Sequence, residues 1–243
     1  MKPSMTSNDI KWNVHNQTFW LLPEKAAFWE SEGVLLVADL HFGKVSHFQR
    51  QGIAVPTGAQ RKTLDRLDDV IKRTQPKAVW FLGDLFHSHP NDEWLEFQEW
   101  MRTHESLEHV LVQGNHDIAK PTVYTSLGLN VHPSLVLHGL CFSHEPADSF
   151  PKPSKAVIEQ RPEALFRICG HIHPGVKLRT TGRQSMTLPC FFETYDHIVL
   201  PAFGEFTGLH CLSVSNDCEA YIVTEERLVL HSSLPRQSTT ATR

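Results

Sequence analysis

The chain has 243 residues, with 23 Lys and Arg against 27 Asp and Glu, and a formal net charge of -4. That balance excludes a globally basic nucleic-acid binder but is compatible with a local basic groove. A hydrophobic content of 40% suits a globular core, and one domain over residues 1–234 is expected at this length, followed by a polar, Ser/Thr-rich tail over 235–243.

The opening Met1 to Lys11 is polar and reads as neither a signal peptide nor a membrane anchor. Next come two apolar clusters, Phe19-Trp20-Leu21-Leu22 and Ala26-Ala27-Phe28-Trp29, which predict a leading hairpin at a sheet edge. A strand over 34–38 follows, then a helix from about Gly58 to Arg73 with Leu64, Leu67, Val70 and Ile71 on one face. A strand over 78–82, a helix near Asp92 to Arg102, a strand over 109–113 and a shorter helix after Pro121 continue the alternation, which argues for α/β layering. Beyond Leu135 the runs become short and closely spaced through Leu228-Val229-Leu230, as a second sheet packed on the first would require. The five cysteines, Cys141, Cys169, Cys190, Cys211 and Cys218, include no Cys-x-x-Cys pair and read as reduced core thiols of a cytoplasmic protein.

Five apolar runs end on a small residue, and a candidate metal ligand follows each. Val34 to Ala38 precedes Asp39, Val79 to Gly83 precedes Asp84, and Val110 to Gly114 precedes Asn115. Leu140 to Ser143 precedes His144, and Phe166 to Gly170 precedes His171. Side chains at strand ends sit where loops assemble sites. With His41 and His173 from Asp-Leu-His and Gly-His-Ile-His, the set holds seven residues, too many for one ion. Imidazole, carboxylate and amide donors suit manganese, iron, zinc or magnesium, and two such ions sharing a carboxylate would use the whole set, with Asp84 the natural bridge. A Gly-Asp or Asp-x-His by itself is more often a turn or cap. The succession of five segments, each after an apolar run, is what carries the metal reading. Most other histidines read as ordinary surface or core residues, while His47, His87 and His89 lie near the motifs.

This succession resembles the calcineurin-like metallophosphoesterases. Asp39-Leu40-His41-Phe42-Gly43-Lys44, Gly83-Asp84-Leu85-Phe86-His87-Ser88, Gly170-His171-Ile172-His173-Pro174-Gly175-Val176 and Leu200-Pro201-Ala202-Phe203-Gly204-Glu205-Phe206-Thr207-Gly208 are similar to the bacterial ligase-associated DNA damage response endonucleases within that superfamily. The resemblance implies an α/β fold, a four-layer double β-sandwich flanked by helices. It implies a first metal on Asp39, His41, Asp84 and His173 and a second on Asp84, Asn115, His144 and His171, manganese being the expected ion. It further implies hydrolysis of a phosphodiester by metal-bound hydroxide, with His116 protonating the leaving alkoxide. Many relatives carry an aspartate three positions after the bridging one to orient that histidine; here His87 stands there, which leaves Asp117 or another carboxylate to orient His116. The long Glu145 to Leu165 segment, with Lys152 and Lys155, is expected to form a substrate-facing flap.

The expected substrate is DNA or a related nucleotide, held by Lys44, Arg50, Arg61 and Lys62 with Phe42 and Phe48 along a groove. DNA ligase and helicase or exonuclease repair proteins are the partners the resemblance implies, with no membrane. Hydrolysis of a small nucleotide or other small phosphoester is the alternative activity, and a metal-bearing scaffold in a repair complex the alternative without activity.

Overall fold

The computed structural model describes residues 3–44, 58–87, 92–146, 165–179 and 184–232. Arg50, His47, Phe48, His89, Lys152, Lys155, most of the 145–165 segment and the 235–243 tail lie outside these described residues.

The first sheet runs in chain order: β1 (Ile10–Val14), β2 (Gln17–Leu22), β3 (Ala26–Trp29), β4 (Val34–Val37), β5 (Ala78–Leu82), β6 (Glu108–Val112) and β7 (Asn130–His132). The leading hairpin is β2–β3, with β1 added at the edge, and all pairs up to β4 are antiparallel. From β4 to β7 the pairs are parallel, joined by crossovers through α1 (Ala59–Thr74), α2 (Asp92–Thr103) and α3 (Pro121–Ser126). Crossovers of one hand between successive neighbours put their helices on one face. The packing agrees: Leu35, Val37, Val79 and Phe81 meet Leu67 and Val70 of α1, Phe97 of α2 and Tyr124 of α3.

The second sheet holds β8 (Leu135–Leu137), β9 (Leu140–Phe142), β10 (Phe166–Cys169), β11 (Pro174–Arg179), β12 (Ser185–Thr194), β13 (His197–Val199), β14 (His210–Leu212), β15 (Cys218–Val223) and β16 (Leu228–Ser232). It covers the other face of the first, where Leu36, Ala38, Leu82 and Val112 pack on Phe142, Ile168, Phe191 and Ile198. With a partner layer on each face, β4 to β6 have no polar side to show, so their runs read as unbroken apolar stretches. Deleting a ring such as Phe97, 0% exposed between α2 and the sheet, would cost about 3–5 kcal/mol.

No disulfide forms among the cysteines, and Cys141, Cys169 and Cys190 are buried as expected. Cys211 is exposed because β14 lies at the sheet edge, so the core reading does not extend to it, while Cys218 of β15 is half-buried against the cluster of Val176, Cys190 and Phe192. Among the described residues no helix is long and apolar enough to cross a membrane.

Candidate metal centre

Three adjacent parallel strands of each sheet, β4–β5–β6 and β9–β10–β13, deliver the site from their C-terminal ends. Asp39 and His41 follow β4, Asp84 follows β5, and Asn115 and His116 follow β6; His144 follows β9, and His171 and His173 follow β10. Pairing continues past the strand ends. Asp39 donates its N–H to Gly83 O at 3.1 Å and His41 to Asp84 O at 2.9 Å, and Gly170 donates to His144 O at 2.9 Å. The strand leaving β13 closes the ring: Phe203 N–H meets Ala38 O at 2.8 Å and Gly204 N–H meets Asp39 O at 3.1 Å.

Five of the seven candidate ligands, Asp39, His41, Asp84, His171 and His173, have left-handed backbone with φ between 51° and 72°. Asp and His are among the few non-glycine types enriched there, so the donor chemistry and the sharp exit from the strand ask for the same residues. Gly83 shares this conformation at φ 81°, and a Cβ on it would lie 2.2 Å from His144 Nδ1. At Gly114 and Gly170 the need is space, since a Cβ would lie 2.4 Å from Asp84 N and 2.6 Å from Asp39 Oδ2 respectively.

The seven side chains converge in two groups. Donor atoms of Asp39, His41 and His173 lie within 4.8 Å of one another, as do those of Asp84, His144 and His171. Asn115 joins the second group through Oδ1, 3.0 Å from His144 Nε2. Asp84 faces both: Oδ2 is 3.7 Å from His41 Nε2, and Oδ1 is 3.3 Å from His144 Nε2. Backbone N–H groups hold the carboxylates, His171 donating to Asp39 Oδ2 at 2.9 Å and His116 to Asp84 Oδ1 at 2.9 Å. Carbonyls orient two of the rings. His144 Nδ1 donates to Leu82 O at 3.0 Å and His173 Nδ1 to Gly208 O at 3.2 Å, which turns each Nε2 toward the cluster.

This arrangement fits divalent ions. Asp39 Oδ1 is buried with no hydrogen-bond partner, and imidazole nitrogens face each other at 3.1 Å between His41 and His173 and again between His144 and His171. Burial pushes the His41 imidazole down to about 2, overriding the attraction of Asp84, so its ring stays neutral with a lone pair to give. Burial acts against charge on His144 and Asp84 too, but there their mutual hydrogen bond and attraction win. The imidazole rises to about 9 and the carboxyl falls to about 2, with Asp39 helping the first and the His116 N–H the second. Two carboxylates in so little space favour a positive charge between them, which a divalent ion would supply.

Two of the neighbours, Phe42 and Asp117, depart from the sequence expectations. Phe42 is 2% exposed and packs on Phe97 at a centroid distance of 5.1 Å, so it belongs to the core and cannot stack on a base. Arg61 pairs with Asp65 one helical turn on, at 2.9 Å, and Lys62 is exposed beside it on α1, whereas Lys44 is half-buried near Asp84 and Asp39, its pKa lowered by burial against their pull. Asp117 does not orient His116: its oxygens accept the N–H groups of Phe86 at 3.1 Å and Gly114 at 2.9 Å, and burial raises its carboxyl to about 6. The His116 ring instead stacks on His87 at 4.7 Å and 28°, with His41 5.5 Å away.

Among curated proteins none matches the chain. The nuclease MPE of Pseudomonas putida is similar in structure, with a TM-score of 0.71 and 28% identity over 92% of this chain and 100% of that one. Yfce, a phosphoesterase from E. coli, gives a TM-score of 0.42 and 12% identity over 82% of this chain and 98% of that one. The model of the calcineurin-like phosphoesterases matches residues 33–175, more than half of the chain and every strand end but the last of those that build the cluster. With that match, the double sheet and two ligand groups at its strand ends, the chain belongs to the calcineurin-like phosphoesterase family and is a metal-dependent phosphoesterase.

Proposed function

We propose that this protein hydrolyses phosphodiesters in DNA at a two-ion centre. Asp39, His41, Asp84 and His173 would hold the first ion, and Asp84, Asn115, His144 and His171 the second. The observation that carries the shared centre is Asp84, whose two oxygens each face a different ligand group. Bound manganese, or another divalent ion of similar chemistry, supplies Lewis-acid polarisation of the phosphoryl oxygens and a water of lowered pKa.

The protein residues do the rest. Asp39 and Asp84 hold the negative charge that retains the ions, and the Leu82 and Gly208 carbonyls keep His144 and His173 in the tautomer that offers Nε2. His116 is anchored through its own N–H on Asp84 and through ring stacking on His87, which keeps its imidazole beside the leaving oxygen to deliver a proton. His87 thus takes over by packing a positioning task that a carboxylate performs elsewhere by hydrogen bonding. Lys44, near the carboxylates of the first group, supplies a cation for the substrate backbone.

DNA as substrate is supported by the similarity to a nuclease over 92% of this chain and the whole of that one. The test compares single-stranded, duplex and nicked DNA with a panel of nucleotides and bis(4-nitrophenyl) phosphate, all with manganese and again with a chelator. The proposal expects chelator-sensitive turnover of the aryl diester and of at least one DNA form. Turnover of the aryl diester with no DNA cleaved, and efficient hydrolysis of one small nucleotide, would replace the nuclease reading by the small-phosphoester one.

A further inference from the structure

Beside the Asn115 and His144 end of the centre opens a cleft of about 570 Å³, with Gln113, Ser134 and Glu145 also on its walls. Its volume is in the range that holds a nucleotide-sized ligand rather than a bare ion. Among the described residues its one guanidinium is Arg167 of β10, in the middle of the second sheet. Arg167 is half-buried, and its Nη1 donates to Ser143 Oγ at 2.8 Å and to Cys141 Sγ at 3.4 Å.

Among the described arginines withdrawn from solvent, Arg167 alone has no carboxylate partner; Arg179 and Arg227 also lack one but are exposed. Arg61, Arg66, Arg73 and Arg102 each pair with a carboxylate: Asp65, Glu205, Asp9 with Glu24, and Glu99 respectively. Arg167 has no carboxylate partner among the described residues, and Glu145, the acidic residue on the same cleft, is exposed and unpaired with it. Its Nε–H and Nη2 donors have no protein partner there either. A guanidinium withdrawn into a wall costs desolvation, and among the described residues only the neutral Ser143 and Cys141 offset it. The two bonds to β9 and its end hold the planar fork in one orientation, and such a fork matches phosphate oxygens.

We infer that this cleft is a second phosphate subsite, in which Arg167 holds the phosphate neighbouring the scissile one on the same strand. The inference deepens the nuclease reading and rests on it, because only a substrate with phosphates on both sides of a nucleoside can occupy the centre and the cleft together. Arg167 is then a specificity-determining residue that favours an internal ester of a chain over a simple one.

The test uses two pairs of chromogenic substrates with the manganese-loaded enzyme. The first pair is thymidine 5′-(4-nitrophenyl phosphate) with and without a 3′-phosphate; the second is thymidine 3′-(4-nitrophenyl phosphate) with and without a 5′-phosphate. A charge-assisted contact should raise kcat/KM by at least ~10-fold for the doubly phosphorylated member of one pair. Arg167→Gln should abolish that gain, and Arg167→Lys, which keeps the charge without the fork, should keep part of it. General damage to the centre would lower both members of a pair alike and leave their ratio intact, so a preserved ratio in Arg167→Gln overturns the inference. So does a wild-type enzyme that gains nothing from the second phosphate in either pair, a result that stands even if neither variant folds. An Arg167-dependent gain in an enzyme that cuts no DNA would retain the subsite and discard the nuclease reading, while DNA cleavage without the gain would do the reverse.

Discussion

The two sheets contribute different halves of the centre. The first sheet brings oxygen donors, Asp39, Asp84 and Asn115, with His41 as its one imidazole; the second brings nitrogen donors, His144, His171 and His173. The oxygen half sits on adjoining loops knitted to each other, Asp39 to Gly83 and His41 to Asp84. The nitrogen half is oriented largely from outside itself, by Leu82 of the first sheet and by Gly208 of the segment beyond β13. The backbone that carries the negative charge is therefore knitted within one sheet, while the orientation of the imidazoles depends more on how the sheets dock. Damage to the first half should remove the ions, and damage to the second should shift or weaken one of them.

The harshest test of that division is Asp84→Asn. Replacing the shared carboxylate should empty both ion positions and lower turnover of bis(4-nitrophenyl) phosphate by ~10⁴-fold or more, the several kcal/mol that metal ions supply. His173→Ala should leave the second position filled. Metal content by elemental analysis separates the two, and two retained ions in Asp84→Asn would break the shared-centre proposal.

His116→Ala should come next, because it lies between the halves without belonging to either ligand group. Both ions should remain, with a loss of roughly 10²–10⁴-fold on an alkyl ester and a smaller one on a nitrophenyl ester, whose anion leaves without a proton. Equal losses would assign the ring to charge stabilisation rather than proton delivery.

A smaller effect probes how closely the sheets approach. Gly83→Ala adds a Cβ 2.2 Å from His144 Nδ1 as well as straining a left-handed residue, whereas Gly58→Ala meets nothing within 4 Å. Thermal melts should show a cost of about 1–3 kcal/mol for the overpacked Gly83 variant, beyond the strain both share. Equal shifts in Tm would mean that the contact between Gly83 and His144 is dispensable.

The gentlest prediction concerns the helix-covered face of the first sheet. His109 is buried between Phe81 and Trp100, and burial, with His104 adding to it, lowers its pKa from 6.5 to about 4. The folded state thus binds this proton less readily than the unfolded chain. The neutral ring's contribution is complete above about pH 6.5 and is lost as pH falls toward 4. His109→Phe should flatten the fall in Tm over that window relative to wild type; parallel curves would refute it.

The strands, helices and converging ligand types could be read from the chain because each has a local signature: an apolar run of strand length, a helical stripe at Leu64, Leu67, Val70 and Ile71, a small residue before the first donor of each segment. Local pattern could not say which charges meet which. In one dimension Arg61 is a candidate for the substrate groove, yet it pairs with Asp65 on its own helix, while Arg167, inside an apolar run, lines a cleft with Asn115. Phe42 looked available to a base until α2 closed over it, and Asp117 looked free to orient His116 until Phe86 and Gly114 claimed its oxygens. The chain by itself determined which residues can donate to an ion and roughly where strands deliver them, since both follow from side-chain chemistry and short-range periodicity. The docking of the sheets decided the two groups, the tautomers and the placement of Arg167 on a cleft wall, since burial and pairing depend on atoms far apart in sequence that only the folded core brings together.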